Sequence, residues 1–416
     1  MVRVDYDWSG GAVLGEESKA KLTILRQYFR EYISIRCQHP RQSKFKLAIV
    51  EGFSGAGRYK DGTPGSPLIF VEELVNAART LNLVRKANGF SELHIECLMI
   101  CNDADSVAIQ ILRENLAPLL LEAEEIRDQL DLTVKYHDKK FEEICPYLIT
   151  SLKHYGFENV LFILDQCGHS QVQVESIRDI IDAFKNIEMF YNFSIDSFLA
   201  FLDKRDAKKL AAQTAFLGPD FDIRRLSEST LTNQLWLGLA ERLVFEVFHG
   251  CAPYVSPFSV HKNKGWSYWL LHFAQSPRAR EVYNDILHAN ASLQAHFGRS
   301  GLKMLTYEKP EEGKLYLFDD VGRASALDQL TDDIPRLVSR YGDTIGVADF
   351  RRVIYGETPA HSDDIRAAIM RSPDLQVITP RGSRRRSASG IEPDDILQLR
   401  PQRSFHRLMR PRDEGN

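Results

Sequence analysis

Several familiar signals are missing from this chain, and each absence narrows the reading. The six cysteines, Cys37, Cys97, Cys101, Cys145, Cys167 and Cys251, form no C-x-x-C pair. That argues against a zinc site or a disulfide framework and for reduced, intracellular usage. No apolar run approaches membrane-spanning length, and the opening MVRVDYDWSGG holds no apolar signal region. The expected location is the cytoplasm, with no membrane partner. Net charge is only -4, so the chain as a whole is not a general polyanion binder. No internal repeat is present. What the chain does have is size: 416 residues with 44% apolar content suit two or three packed domains. Its charge is also uneven. Nine arginines fall between Arg381 and Arg412 against three acids, Glu392, Asp394 and Asp395, which suggests a polyanion-facing surface or a solvated tail.

The most informative stretch is Glu51-Gly-Phe-Ser-Gly-Ala-Gly57, directly after the apolar run Phe45–Val50. It reads as a buried strand ending in an acid, then a turn through Gly55 and Gly57. Lacking a Cβ, these glycines can take positive φ and lie against a nucleotide-like ligand. The dinucleotide fingerprint G-x-G-x-x-G is incomplete, because position 60 is Lys. Methyltransferases that use S-adenosylmethionine place this pattern after their first strand. A plain strand-to-helix turn would show the same residues, so the other strand ends must decide.

Helical spacing of Leu22, Leu25, Tyr28, Phe29, Tyr32 and Ile33 predicts a helix over 16–36. Beyond the glycine loop, Pro67–Thr80 reads as a helix, His94–Ile100 as a strand and Asp105–Leu121 as a helix. Leu132–Tyr136, Val160–Leu164 and Ile187–Phe193 read as further strands. Near-continuous apolar strands alternating with helices indicate a parallel sheet covered on both faces. Residues 194–264 read as a mostly helical insertion (Phe198–Leu210, Thr230–Phe248). Ser267–Ala274 is a later strand, Arg278–His288 a helix and Pro310–Gly313 a junction. From about Ser325 three helices follow: Asp333–Tyr341 with Pro335 in its first turn, Val347–Tyr355, and Ser362–Arg371. Leu375–Thr379 then pairs with Asp394–Leu399 across a loop holding Arg381, Arg384, Arg385 and Arg386. That order fits a winged helix whose wing touches phosphate, or a small helical dimerisation or lid domain. The expected architecture is a Rossmann-like class I methyltransferase sheet over 37–310, preceded by a helical segment (1–36). A winged-helix-like domain (325–400) and a basic tail (401–416) follow.

In a doubly wound sheet the ligand lies across the carboxyl ends of the strands. The first strand end supplies Glu51, Phe53, Gly55 and Gly57. The second supplies Asp103, placed to grip ribose hydroxyls, with Asp105 as a helix cap. The third supplies Asp138, which suits an adenine amino group or a simple turn. The fourth ends in Asp165-Gln166-Cys167-Gly168. An aspartate after five apolar residues is costly without a partner or a role. Base-amino methyltransferases carry Asn/Asp-Pro-Pro-aromatic at this point; Gln166 and Cys167 replace the prolines, and no aromatic follows. Cys167 as a nucleophile lacks the usual preceding Pro, and a small buried residue is its simpler role.

The stretches Lys21–Tyr28, Glu51–Tyr59, Asp61-Gly-Thr-Pro-Gly-Ser-Pro67, Asn102-Asp103, Leu164-Asp165, Phe190–Phe193 and Tyr268–Ala274 resemble the three-Cys-motif partner (TcmP) proteins. The likeness spans roughly residues 15 to 290. It implies a methyltransferase-like fold, a bacterial origin, an S-adenosylmethionine-type cofactor and a partner protein carrying a three-cysteine motif. The family reads Asp-Pro-aromatic-Gly at strand four; Asp165 and Gly168 carry over, whereas the Pro and aromatic do not. Three functions follow as expectations. The first is a nucleic-acid methyltransferase, with Asp165 catalytic and Glu51, Phe53, Gly55, Gly57, Asp103 and Asp138 holding the cofactor. The second is a non-catalytic nucleic-acid adaptor of a partner enzyme. The third is a nuclease with Mg²⁺ on Asp103, Asp138 and Asp165.

Overall fold

A computed structural model describes residues 11–229, 231–260, 268–290, 294–297, 315–317 and 320–401. The chain divides into two compact units, Met1–Ala295 and His296–Asn416. The first unit runs α1 (Glu16–Arg36), β1 (Lys44–Glu51), α2 (Ser66–Ala87), β2 (His94–Asn102), α3 (Ser106–Glu124), β3 (Leu130–His137), α4 (Phe141–His154), β4 (Asn159–Leu164), α5 (Val174–Ala183) and β5 (Asn186–Phe193). It continues through α6 (Ile195–Phe201), α7 (Ala207–Thr214), α8 (Ile223–Ser227), α9 (Asn233–His249), β6 (Tyr254–Val260), β7 (Tyr268–Ala274) and α10 (Pro277–Ala289). Gln294 and Ala295, which open β8 (Gln294–Phe297), pair with Val260 and Ser259.

Seven strands lie in the order β3-β2-β1-β4-β5-β7-β6. The first five are parallel, and β7 runs antiparallel to both neighbours. This is a Rossmann-like α/β fold. Side chains alternate across the sheet with period two. Phe190 meets Tyr28 of α1 and Tyr283 of α10 on one face, whereas Tyr191 meets Phe248 of α9 on the other. The second face forms a large core with α4, α5 and α9, in which Val50, Phe162, Phe193 and Leu271 are closed to solvent.

The predicted insertion, read as mostly helical, holds the helices α6 to α9 and also a strand. Near its end it contains β6, a member of the sheet. Pro257 and two serines disguise it in the sequence, but proline is tolerated on a strand with one neighbour along most of its length. Among the described residues, no helix is long and apolar enough to cross a membrane.

The second unit holds β9 (Leu315–Leu317), α11 (Asp320–Arg340), β10 (Thr344–Gly346), α12 (Val347–Glu357), α13 (Ser362–Arg371), β11 (Leu375–Ile378) and β12 (Ile396–Leu399). β12 pairs antiparallel with both β10 and β11, with Leu397 between Ile345 and Val377. α11 begins thirteen residues before the predicted start, and Pro335 lies well inside it rather than in its first turn. The buried stripe Ala326, Leu330, Ile334 and Leu337 keeps helical spacing past the proline, so packing outweighs the lost hydrogen bond. The predicted junction Pro310–Gly313 and residues 402–416 of the basic tail lie outside the described residues.

Candidate functional site

The strand order reverses direction between β1 and β4, so the carboxyl ends of these two strands flank the topological switch point. Glu51 closes β1 there, with backbone partners Cys101 on β2 and Ile163 on β4. Its side chain is 0% exposed, and neither carboxylate oxygen has a hydrogen-bond partner of good geometry. Burial pushes its pKa up to about 8, helped by the charge of Asp165; Ser66 and Lys21 pull the other way. A buried carboxyl without a partner costs free energy that the fold alone does not recover.

The glycine loop is fastened from β2. Gly55 has φ 55° and Gly57 φ 77°, the left-handed region glycine enters without strain. The Gly55 N–H donates to Asp103 Oδ2 at 2.9 Å, while Asp103 Oδ1 accepts from the Asp105 N–H at 2.9 Å. Burial raises the Asp103 carboxyl pKa against these bonds. Asn102 ties two loops together: its Nδ2 donates to the carbonyls of Gly52 at 3.1 Å and Lys139 at 2.9 Å. Ser54 N–H in turn donates to the Asn102 carbonyl at 2.8 Å. A Cβ at Gly57 would sit 2.4 Å from Leu112 Cδ1 and 2.7 Å from Leu68 Cδ1. Gly57 is therefore demanded by the packing of α2 and α3 as well as by its φ. Asp105 caps α3, accepting from Val107 N–H at 2.8 Å.

Asp165 stands just past β4 at 23% side-chain exposure and is held from both sides. Lys21 of α1, itself nearly closed to solvent, makes a short ion pair to Oδ2, and Asn192 Nδ2 donates to Oδ1 at 3.0 Å. Burial and the charges of Asp165 and Glu51 raise the Tyr59 phenol pKa, so Tyr59 belongs to the same cluster. Gln166 is structural. Its amide donates to the Tyr191 hydroxyl at 2.6 Å, and its carbonyl accepts from Gln171 N–H at 2.9 Å. Cys167 is exposed on this loop and the other five cysteines are buried. His169, two residues on, packs against Phe198 and Phe201 at 5.4 and 5.5 Å between ring centres.

The structure thus brings together Glu51, the glycine loop, Asp103 and Asp165. Phe53 is half-buried and packs on Phe141 at 5.7 Å. Asp138 is exposed at the rim, 3.4 Å from Lys139. Among the described residues no group of three or more His, Cys, Asp or Glu side chains is arranged to hold a metal ion; Asp103, Asp138 and Asp165 do not form one. Lys21, Tyr59 and Asn192 were missed from sequence. Lys21 did carry a signal, because it lies on the stripe 21, 25, 28, 32 with Leu25, Tyr28 and Tyr32, all buried.

In the second unit, Arg381, Arg384 and Arg386 are exposed on the β11–β12 loop. Arg385 turns inward and forks onto Asp395 at 2.8 and 3.1 Å, so its guanidinium is engaged within the fold rather than presented to a ligand.

No protein-family model matches this sequence, and no curated protein matches it.

Proposed function

We propose that this protein is a methyltransferase-like enzyme that binds S-adenosylmethionine and acts on nucleic acid with a partner protein. The observation that carries the reading is the buried Glu51 carboxyl, without a hydrogen bond of good geometry, at the switch point beside a loop of positive-φ glycines. Such a group calls for a ligand that brings hydrogen-bond donors or a cation. The order β3-β2-β1-β4-β5-β7-β6 with β7 reversed supports the class I methyltransferase sheet. When bound, the cofactor would supply an electrophilic methyl group. Glu51, Phe53, Gly55, Gly57 and Asp103 would hold it, and Asp138 would stand at the rim for an adenine amino group. Asp165, fixed by Lys21 and Asn192, would accept a hydrogen bond from the acceptor and orient it, so that catalysis rests on positioning. In the second unit, three helices followed by the β11–β12 hairpin support a winged helix, with Arg381, Arg384 and Arg386 meeting phosphate. The likeness to three-Cys-motif partner proteins suggests the partner.

A second reading has its own observation. Lys21 and Asn192 engage both oxygens of Asp165, and Gln166 is bonded to Tyr191. That favours an adaptor that binds cofactor and nucleic acid without transfer. Incubating the protein and its Asp165→Ala variant with radiolabelled S-adenosylmethionine and DNA or RNA separates the two. Label incorporation that is lost in the variant supports the enzyme. Cofactor binding without incorporation supports the adaptor.

A further inference from the structure

Away from the carboxyl ends of the strands, the α10 side of the sheet holds a second polar cluster that the proposed reaction does not use. Arg280 of α10 is 0% exposed, and its Nε, Nη1 and Nη2 all lack a hydrogen-bond partner. Burial pulls its pKa down to about 9, so the guanidinium keeps its proton at neutral pH. It is an uncompensated buried cation, and an arginine cannot escape the cost by losing its charge.

Its neighbourhood is rich in groups able to donate. One helical turn on, Tyr283 lies on the same face of α10, its hydroxyl donating to the Leu270 carbonyl at 3.2 Å and its ring 4.7 Å from the His272 ring on β7. Ser256 on β6 is directly opposite His272 in the ladder, so the two side chains share a face. Ser256 Oγ and both His272 ring nitrogens are buried without hydrogen-bond partners. The charge of Arg280 is felt at both His272 and Tyr283. Burial keeps His272 neutral, so it adds a donor without a second positive charge. One buried acid borders the cluster: Glu188, 3.7 Å from His272 Nε2, also accepts from Tyr28 and from Arg36 at 3.4 Å, while Glu281 pairs with Arg278 at 2.8 Å.

We propose that Arg280, Ser256 and His272 form a buried site for one small oxyanion, a carboxylate or an inorganic phosphate. A planar guanidinium presents the forked donors such an anion accepts. The Arg280 guanidinium, with no bonded partner, is the charge that would draw the anion. The proposal is independent of the methyltransferase reading, and its test involves no cofactor.

The test uses the full chain in a zwitterionic buffer at constant ionic strength. Its thermal unfolding midpoint is followed against phosphate and, separately, acetate. The expected result is a saturable rise with at least one of them in the wild type and none in Arg280→Met. A flat wild-type response, or an equal rise in Arg280→Met, would overturn the site. Should Arg280→Met fail to fold, Ser256→Ala keeps the charge and removes one donor. Its half-saturation concentration should then rise roughly fivefold, the loss expected for one neutral hydrogen bond; an unchanged value would overturn the assignment. The phosphate and acetate arms identify which oxyanion the site prefers.

Discussion

Two carboxylates closed to solvent, one in each unit, show what burial alone does and does not mean. Asp395 lies beneath Arg385, receives its guanidinium fork and accepts the Glu392 N–H at 2.8 Å. These partners draw its pKa below the ordinary aspartate range against the cost of burial. Glu51 has no such partner, and burial drives its pKa the other way, to about 8. The first residue closes a hairpin loop. The second remains unsatisfied by the fold at the point where a doubly wound sheet receives ligands. Partners, more than depth, separate the structural acid from the candidate functional one.

The largest expected effect tests whether the glycine loop serves packing or ligand. Gly57→Ala should lose about 2–4 kcal/mol in chemical denaturation, combining overpacking against Leu112 and Leu68 with a left-handed backbone. A neutral result would mean that the loop rearranges freely. Next comes Lys21→Met, which strips Asp165 of its cation. A loss of about 2–3 kcal/mol is expected, toward the low end for a broken buried pair because Asn192 remains. Lys21→Met with Asp165→Asn together should recover part of that loss, and a double-mutant cycle measures the coupling. Asp395→Asn should lower the stability of the second unit by a smaller amount. Its main effect should be on the 379–395 loop, read as faster amide exchange at Arg385 and Glu392.

Glu51→Gln sharpens the contrast by sign. A carboxyl whose pKa is raised by folding is bound to its proton more tightly in the native state, so its contribution is full below the unfolded pKa. That contribution is lost as pH rises through the folded value. Wild-type stability should therefore fall between about pH 4.5 and 8 through this group. Glu51→Gln should flatten that fall, matching the wild type near pH 4.5 and exceeding it near pH 8. Asp395→Asn should show the opposite trend, its cost growing as pH rises toward the unfolded aspartate value and staying level above it. Thermal melts across pH read both.

Much of the first unit was legible in the sequence because its strands are continuous apolar runs and its glycine loop follows one of them. The acid at each strand end was legible for the same reason. What those acids touch was not. Asp165 meets Lys21 across 144 residues and Asn192 across 27, and no local pattern encodes such pairing. Lys21 sits among apolar neighbours on its helix, a sign that one face of α1 is not purely greasy. β6 was hidden by its proline and serines, and the true start of α11 by a proline read as a helix opening. Arg385 looked like its neighbours in a basic run; only the register of the hairpin reveals that it faces Asp395.

The most direct test of the central claim is a calorimetric titration of the full chain with S-adenosylmethionine and S-adenosylhomocysteine, repeated with Glu51→Gln. Saturable binding in the micromolar range, weakened at least tenfold in Glu51→Gln, is the predicted result. Absence of binding by the folded wild type, or equal affinity in the variant, would contradict the account.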